Sequence, residues 1–294
     1  MKWFLNAWKK SRQGDVGDIP FLRRLEGIQA EDKEGIMERI FISDLFRKEK
    51  LREILEKTGC GVETIRFSVG DNLDDFSRQL REARRELQDL GQPALILHGP
   101  FLDLNPASYD SRIRQVTRER MEQAYRAAQL LGAEKIVFHS GRIPATVYLE
   151  GWADRITEYF EDFLRGKRGI QVLLENVFDP EYTGLLQAAE QIGHPDFGLC
   201  LDLGHAHCFS GYPAEEWAEK LGSHIRHVHV HDNDGSRDAH LALGRGSVPF
   251  AAAAAAVLKN SPGATWTVEC ASAEEAETSA AVLKNCISAG SMLE

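Results

Sequence analysis

Residues 226–231 read Arg226-His227-Val228-His229-Val230-His231, three imidazoles at alternate positions with two valines between them. In an extended strand this spacing sends the histidines to one face and the valines to the other. Valines facing covering helices and histidines facing a barrel interior account for both sides of such a strand. The same two-residue beat recurs outward along the chain. It pairs Val137 with His139 in Lys135-Ile-Val-Phe-His139, Leu173 with Glu175 in Gln171-Val-Leu-Leu-Glu175, Cys200 with Asp202 in Gly198-Leu-Cys-Leu-Asp202, and Thr267 with Glu269 in Thr265-Trp-Thr-Val-Glu269. Arg39-Ile-Phe-Ile-Ser43, Thr64-Ile-Arg-Phe-Ser68 and Ala94-Leu-Ile-Leu-His98 complete a set of eight β-type runs.

Between the runs lie segments with helical period, such as 74–90, 111–131, 152–164 and 272–287, and Gly91, Gly132 and Gly222 stand where helices should end. Parallel strands need crossover connections, so eight strand–helix units in series predict an α/β fold, a single (β/α)8 TIM barrel. A doubly wound open sheet is the runner-up. It should open on a Gly-rich phosphate turn, and neither G-x-G-x-x-G nor G-x-x-x-x-G-K-[ST] occurs near the start. The barrel is expected over 38–294. Residues 1–37 do not fit the repeat, and with Trp3, Phe4, Trp8, Phe21 and Leu22 they are expected to form an N-terminal extension packed on the barrel.

The 294 residues carry 45 Asp and Glu against 35 Lys and Arg, a formal net charge of −10 and a pI near 5.5. Duplex nucleic acid and anionic membranes are poor partners for such a chain, because phosphate binding relies on clustered Lys and Arg. No run approaches the roughly 20 apolar residues of a membrane span. Five scattered cysteines without a C-x-x-C pair, and an N-terminus without a signal-peptide pattern, predict a cytoplasmic protein.

Catalytic groups of a parallel barrel gather at the C-terminal ends of its strands. His98, His139, Glu175, Asp202 with His205, His229 and Glu269 occupy six such ends, and Asp238 and His240 follow in the loop GSRDAHLALGRG. One such residue alone is usually a satisfied structural polar group. Nine converging on one mouth would repel and desolvate each other unless cations neutralised them. Mixed imidazole and carboxylate donors suit Zn²⁺, Mn²⁺, Fe²⁺ or Co²⁺ better than Ca²⁺ or Mg²⁺, and a carboxylate such as Glu175 can bridge two ions. One to three divalent ions are expected. His207, His227 and His231 either orient ligands or fill the barrel. Arg245 is a candidate substrate contact, Asn176 a candidate for orienting a ligand or a substrate hydroxyl, and Cys208 and Cys270 read as inert packing.

The strings LHGPFLDLN, VFHSG, LLENV, LDLGHAH, HVHVHDNDGSRDAHLALGRG and VEC, in this order over residues 38–290, resemble the xylose-isomerase-like barrel superfamily. That superfamily joins sugar and sugar-phosphate isomerases and epimerases to abasic-site nucleases of the endonuclease IV type. The resemblance to its single-metal epimerases implies a Glu175, Asp202, His229 and Glu269 metal set, with Glu175 and Glu269 as acid and base and His205 also available to substrate. The resemblance to the nuclease branch implies three zinc ions and additional ligands at His98, His139, His205, Asp238 and His240. The mouth loops HGPFLDLNPASYDS, HSGRIPATVYLEG, NVFDPEYTG and HAHCFSGYPAEE hold few Lys or Arg, unlike a duplex-gripping enzyme. The expected activity is therefore metal-dependent isomerisation or epimerisation of a small sugar or sugar phosphate through an enediolate. Multinuclear zinc phosphoesterase activity on abasic DNA or a small ester is the alternative, and a non-catalytic binding barrel ranks last. The sequence leaves the oligomeric state open.

Overall fold

The computed structural model describes residues 39–143 and 147–290. Eight parallel strands close into a barrel in chain order: β1 Ile40–Ser43, β2 Gly61–Thr64, β3 Leu95–His98, β4 Lys135–His139, β5 Gln171–Glu175, β6 Phe197–Asp202, β7 Ile225–Val230 and β8 Thr265–Val268, with β8 pairing back onto β1. The closed sheet excludes the doubly wound alternative. Among the described residues the α-helices are α1 Lys48–Thr58, α2 Gly70–Asp74, α3 Phe76–Asp89, α4 Ser111–Leu131, α5 Trp152–Leu164, α6 Thr183–Gln191, α7 Leu203–Phe209, α8 Ala214–Leu221, α9 Phe250–Asn260 and α10 Ala273–Gly290. The expected extension over 1–37 lies outside the described residues.

Strand alternation separates two cores. Outward residues such as Ile42, Leu97, Phe138 and Trp266 pack under the helices, where Phe138 meets Phe163 of α5 edge-on at 5.9 Å. Inward, Phe41, Ile96, Val137, Leu173 and Cys200 form their own buried cluster along the barrel axis. This apolar filling lies beneath the ring of polar strand ends. α4 shows how local signals set a helix's limits. The Asp110 side chain accepts the N–H groups of Arg112 and Ile113 at the start of α4, and Gly132 closes it at φ 76°. Among the described residues no helix is long and apolar enough to cross a membrane.

One strand differs from expectation. β2 occupies 61–64 rather than 64–68, with Phe41 beside Gly61 and Val62 beside Leu95 in the ladders. The chain leaves the sheet at Thr64 because Asp44 accepts from Thr64 Oγ1 (2.5 Å) and from the backbone N–H of Ile65 (2.8 Å). Arg66 then turns out to Gln79, Glu82 and Glu86. The shift puts Glu63, not a residue of the TIRFS run, inside the barrel.

Candidate metal centre

The ends of β3, β4 and β5 deliver His98, His139 and Glu175 to one spot. His98 Nε2 lies 3.3 Å and His139 Nε2 3.4 Å from Glu175 Oε2. Two atoms bound tetrahedrally to one zinc lie about 3.3 Å apart, so these spacings match the edges of a coordination polyhedron. The second oxygen of Glu175 faces another group: Oε1 stands 3.1 Å from His229 Nδ1. The same His229 nitrogen has Glu269 Oε1 at 3.6 Å and Asp202 Oδ2 at 3.9 Å. Glu175 thus faces two candidate ligand groups, one through each of its oxygens.

Behind His229 lies Glu63, fully buried, which accepts from His229 Nε2 (3.1 Å), from His227 Nε2 (3.2 Å) and from Thr267 Oγ1 (2.5 Å). Burial alone would raise its carboxyl, but the facing His229 and His227 rings outweigh burial and hold Glu63 well below the ordinary carboxylate range. Glu63 fixes which His229 nitrogen faces the mouth. The sequence reading missed it because a strand placed at 64–68 leaves Glu63 in a loop. No signal in the sequence marks it, and its place follows from the ladder, where Glu63 sits beside Ile96, two residues before His98.

A third group comes from α7 and the loop after β7. His205 Nε2 and His240 Nε2 lie 3.4 and 3.1 Å from Asp238 Oδ2. Asp232 organises that loop, accepting the N–H groups of Asn233 and Val248 on Oδ1 and of Gly244 on Oδ2, while its backbone forms a bridge with Leu241. His240 is held in the left-handed region at φ 48°, a conformation costly for a residue with a Cβ and common where function over-determines the backbone. Burial opposes charge on His240, but Asp238 lifts its imidazole to about 9, and Asp238 itself is held well below its usual range by His240 and His205 against burial.

The donors fit divalent metal on two grounds. His98, His205 and His240 each present Nδ1 to a backbone carbonyl, those of Gly99 (2.9 Å), Asn176 (3.0 Å) and Glu269 (2.8 Å), leaving Nε2 aimed at a carboxylate. That fixed tautomer is the usual preparation of a metal-ligating histidine. Second, Glu175 Oε2, Asp202 Oδ2 and Asp238 Oδ1 are buried without a hydrogen-bond partner, an expensive state for carboxylate oxygens that a cation relieves. Burial pushes His139 down to about 3, so this ring is neutral and able to coordinate at pH 7, and Phe101 stacks on it at 4.4 Å.

All nine expected metal ligands therefore meet at the mouth. Other expected residues take different places. Both amide atoms of Asn176 are engaged by the backbone of Asp202, with Nδ2 donating to its carbonyl (2.9 Å) and Oδ1 accepting its N–H (2.8 Å). Asn176 thus ties the end of β5 to the end of β6, beside Glu175 and Asp202. Arg245 lies in an exposed turn, its backbone N–H on Ala242 O. His207 meets Ser247 Oγ at 2.9 Å, away from the ligand groups. Cys270 is buried, with its thiol pushed up to about 12 by burial, which rules it out as a nucleophile at neutral pH.

Over residues 53–286 the chain matches the family model described as xylose isomerase-like TIM barrel, and it belongs to that family. An uncharacterized protein of Methanocaldococcus jannaschii is 34% identical over 184 residues, which cover 56% of this chain and 60% of that protein. The chain thus aligns with less than two thirds of that relative's length. A probable endonuclease 4 of Mycobacterium ulcerans is 24% identical, covering 64% of this chain and 77% of that one. Among solved structures, a Thermus thermophilus protein soaked with zinc chloride superposes with a TM-score of 0.70 at 28% identity, over 84% of this chain and 97% of that one. A D-tagatose 3-epimerase-like protein gives a TM-score of 0.69 at 28% identity, over 87% and 99%.

Proposed function

We propose that this chain is a divalent-metal-dependent isomerase or epimerase of a small sugar or sugar phosphate. The observation that carries this reading is the convergence of Glu175, Glu269 and Asp202 on the Nδ1 face of His229. Two carboxylates within reach of one metal-binding spot can serve as base and acid, returning the proton to the neighbouring carbon for isomerisation or to the opposite face of the same carbon for epimerisation. Glu175, Asp202, His229 and Glu269 would hold the ion there, Zn or Mn by these donors with Co and Fe also compatible, and it would supply Lewis-acid polarisation of the substrate carbonyl for proton transfer through an enediolate. Glu175 and Glu269 remove and return the proton, Asp202 and His229 hold the position, and the apolar cluster beneath keeps bulk water out of the barrel floor. The likeness to the D-tagatose 3-epimerase-like structure supports a ketose substrate.

The test is solvent deuterium incorporation into a panel of ketoses, aldoses and their phosphates by the metal-loaded protein. Exchange at a carbon next to the carbonyl, reduced roughly 10²-fold or more in Glu269→Gln, is expected. Absence of exchange and interconversion across the panel, with metal bound, overturns the reading. One observation favours phosphoester hydrolysis instead: His98 and His139 add a second ligand group on Glu175, and multinuclear sites suit in-line displacement. Release of phosphate from small esters, lost in His139→Ala, would select it.

A further inference from the structure

We infer that His231 is a fourth protein ligand of the ion position formed by His205, Asp238 and His240, making that position closed in this chain. The inference rests on the reading that the mouth binds divalent metal, and it adds a ligand and a role for one ion. His231 is fully buried, and neither ring nitrogen has a hydrogen-bond partner, a costly state for an imidazole removed from water. Its Nε2 lies 3.6 Å from Asp238 Oδ1, an oxygen that itself lacks a partner. One donor atom from each of His205, His231, Asp238 and His240 lies within 4.8 Å of all the others. Asp202 Oδ1 is also near, at 3.2 Å, but the pair does not meet hydrogen-bond geometry, and that oxygen already accepts the His205 N–H at 2.7 Å.

The seating of the ring is built into the sequence. His231 stacks on His240 with centroids 3.9 Å apart and planes 14° from parallel, which brings the two imidazoles side by side at Asp238. On its other side lies Gly204 of α7. A Cβ there would stand 2.1 Å from His231 Cε1 and 2.5 Å from each ring nitrogen, so only glycine leaves room for the ring. Four protein donors fill a tetrahedral zinc position, and closed positions of this kind hold structure, whereas catalytic ones keep a place for substrate. An ion held by His205, His231, Asp238 and His240 therefore clamps the 238–240 loop over the mouth and leaves substrate to the Glu175 and His229 side.

The test compares wild type with His231→Asn and Gly204→Ala by zinc content per chain and zinc affinity after equilibration with a chelator of known strength. The visible spectrum of the cobalt-substituted protein is recorded in parallel. Both variants are expected to hold one ion about tenfold or more weakly, while the ions bound near Glu175 stay and report an intact fold. Wild-type cobalt protein should show the intense bands of a four-coordinate ion, diminished in both variants. Unchanged zinc affinity and cobalt spectrum in metal-loaded variants, or a wild-type spectrum without four-coordinate bands, overturns this inference alone. A wild-type chain that binds no metal overturns it together with the proposed function.

Discussion

Glu63 Oε1 stands 3.1 Å from His229 Nε2, on the side of the ring turned away from Glu175, whose Oε1 stands 3.1 Å from Nδ1. One imidazole thus separates a carboxylate inside the barrel from a carboxylate at its mouth. The inner one fixes the tautomer and strengthens the ring as a donor, as partners behind metal-bound histidines do. Glu63→Gln removes the charge but nearly keeps the shape. Metal affinity at the His229 position should fall about 10–100-fold, read by competition with a chelating dye. Equal affinity in the variant would reduce Glu63 to a buried filler.

The two oxygens of Glu175 make a different prediction from any single histidine. His98→Ala removes a ligand from the Oε2 side alone and should cost at most one ion per chain. Glu175→Gln touches both sides, because His98 and His139 share Oε2 while His229 faces Oε1. Elemental analysis should therefore show a greater loss for Glu175→Gln than for His98→Ala. Equal losses would mean that Glu175 serves one ion only.

Much of this was legible in the sequence because strand alternation is a strict period of two. Once His227, His229 and His231 share a face, the inward set of β4, β5, β6 and β8 follows, which places His139, Glu175, Asp202 and Glu269 at the mouth, whereas His205 on α7 and Asp238 and His240 in the loop after β7 lie outside any parity argument. β2 departs from the expected 64–68 because Thr64-Ile-Arg-Phe-Ser68 alternates as a strand does, while tertiary bonds to Asp44 end the strand at Thr64. Misplacing that strand hid Glu63. The roles of Asn176 and His231 were ambiguous for another reason: an amide bonded to backbone and an imidazole left without a bond look identical in sequence. Spatial partners decide them.

Close packing at the end of β3 couples fold and site. A Cβ on Gly99 would lie 2.3 Å from Phe138 Cε1 and 2.9 Å from the Val137 carbonyl, and the Gly99 carbonyl is the partner of His98 Nδ1. Gly99→Ala should lower stability by about 1–3 kcal/mol through overpacking and also weaken metal binding at His98. Denaturant unfolding of metal-free protein separates the first effect from the second. A variant as stable as wild type would show that the strand end yields freely.

Lys135, at the opposite end of the barrel, gives the stability of the metal-free chain a pH dependence of its own. Its ammonium is almost fully buried and donates to Arg226 O (2.9 Å) and Thr265 Oγ1 (2.6 Å), and burial pushes its pKa down to about 8. In the unfolded chain the group keeps a pKa near 10.4. Between those two values the folded state has released the proton and the unfolded state still holds it, so stability rises with pH. Below about 8 both states are protonated and the full cost of the buried charge is present. Lys135→Met removes the charge and should be more stable relative to wild type at pH 7 than at pH 10, the difference narrowing by up to about 3 kcal/mol. Urea unfolding of both chains at the two pH values measures it. A difference independent of pH would mean that the two hydrogen bonds hold Lys135 at its ordinary pKa, and that the barrel floor carries a charge at no cost.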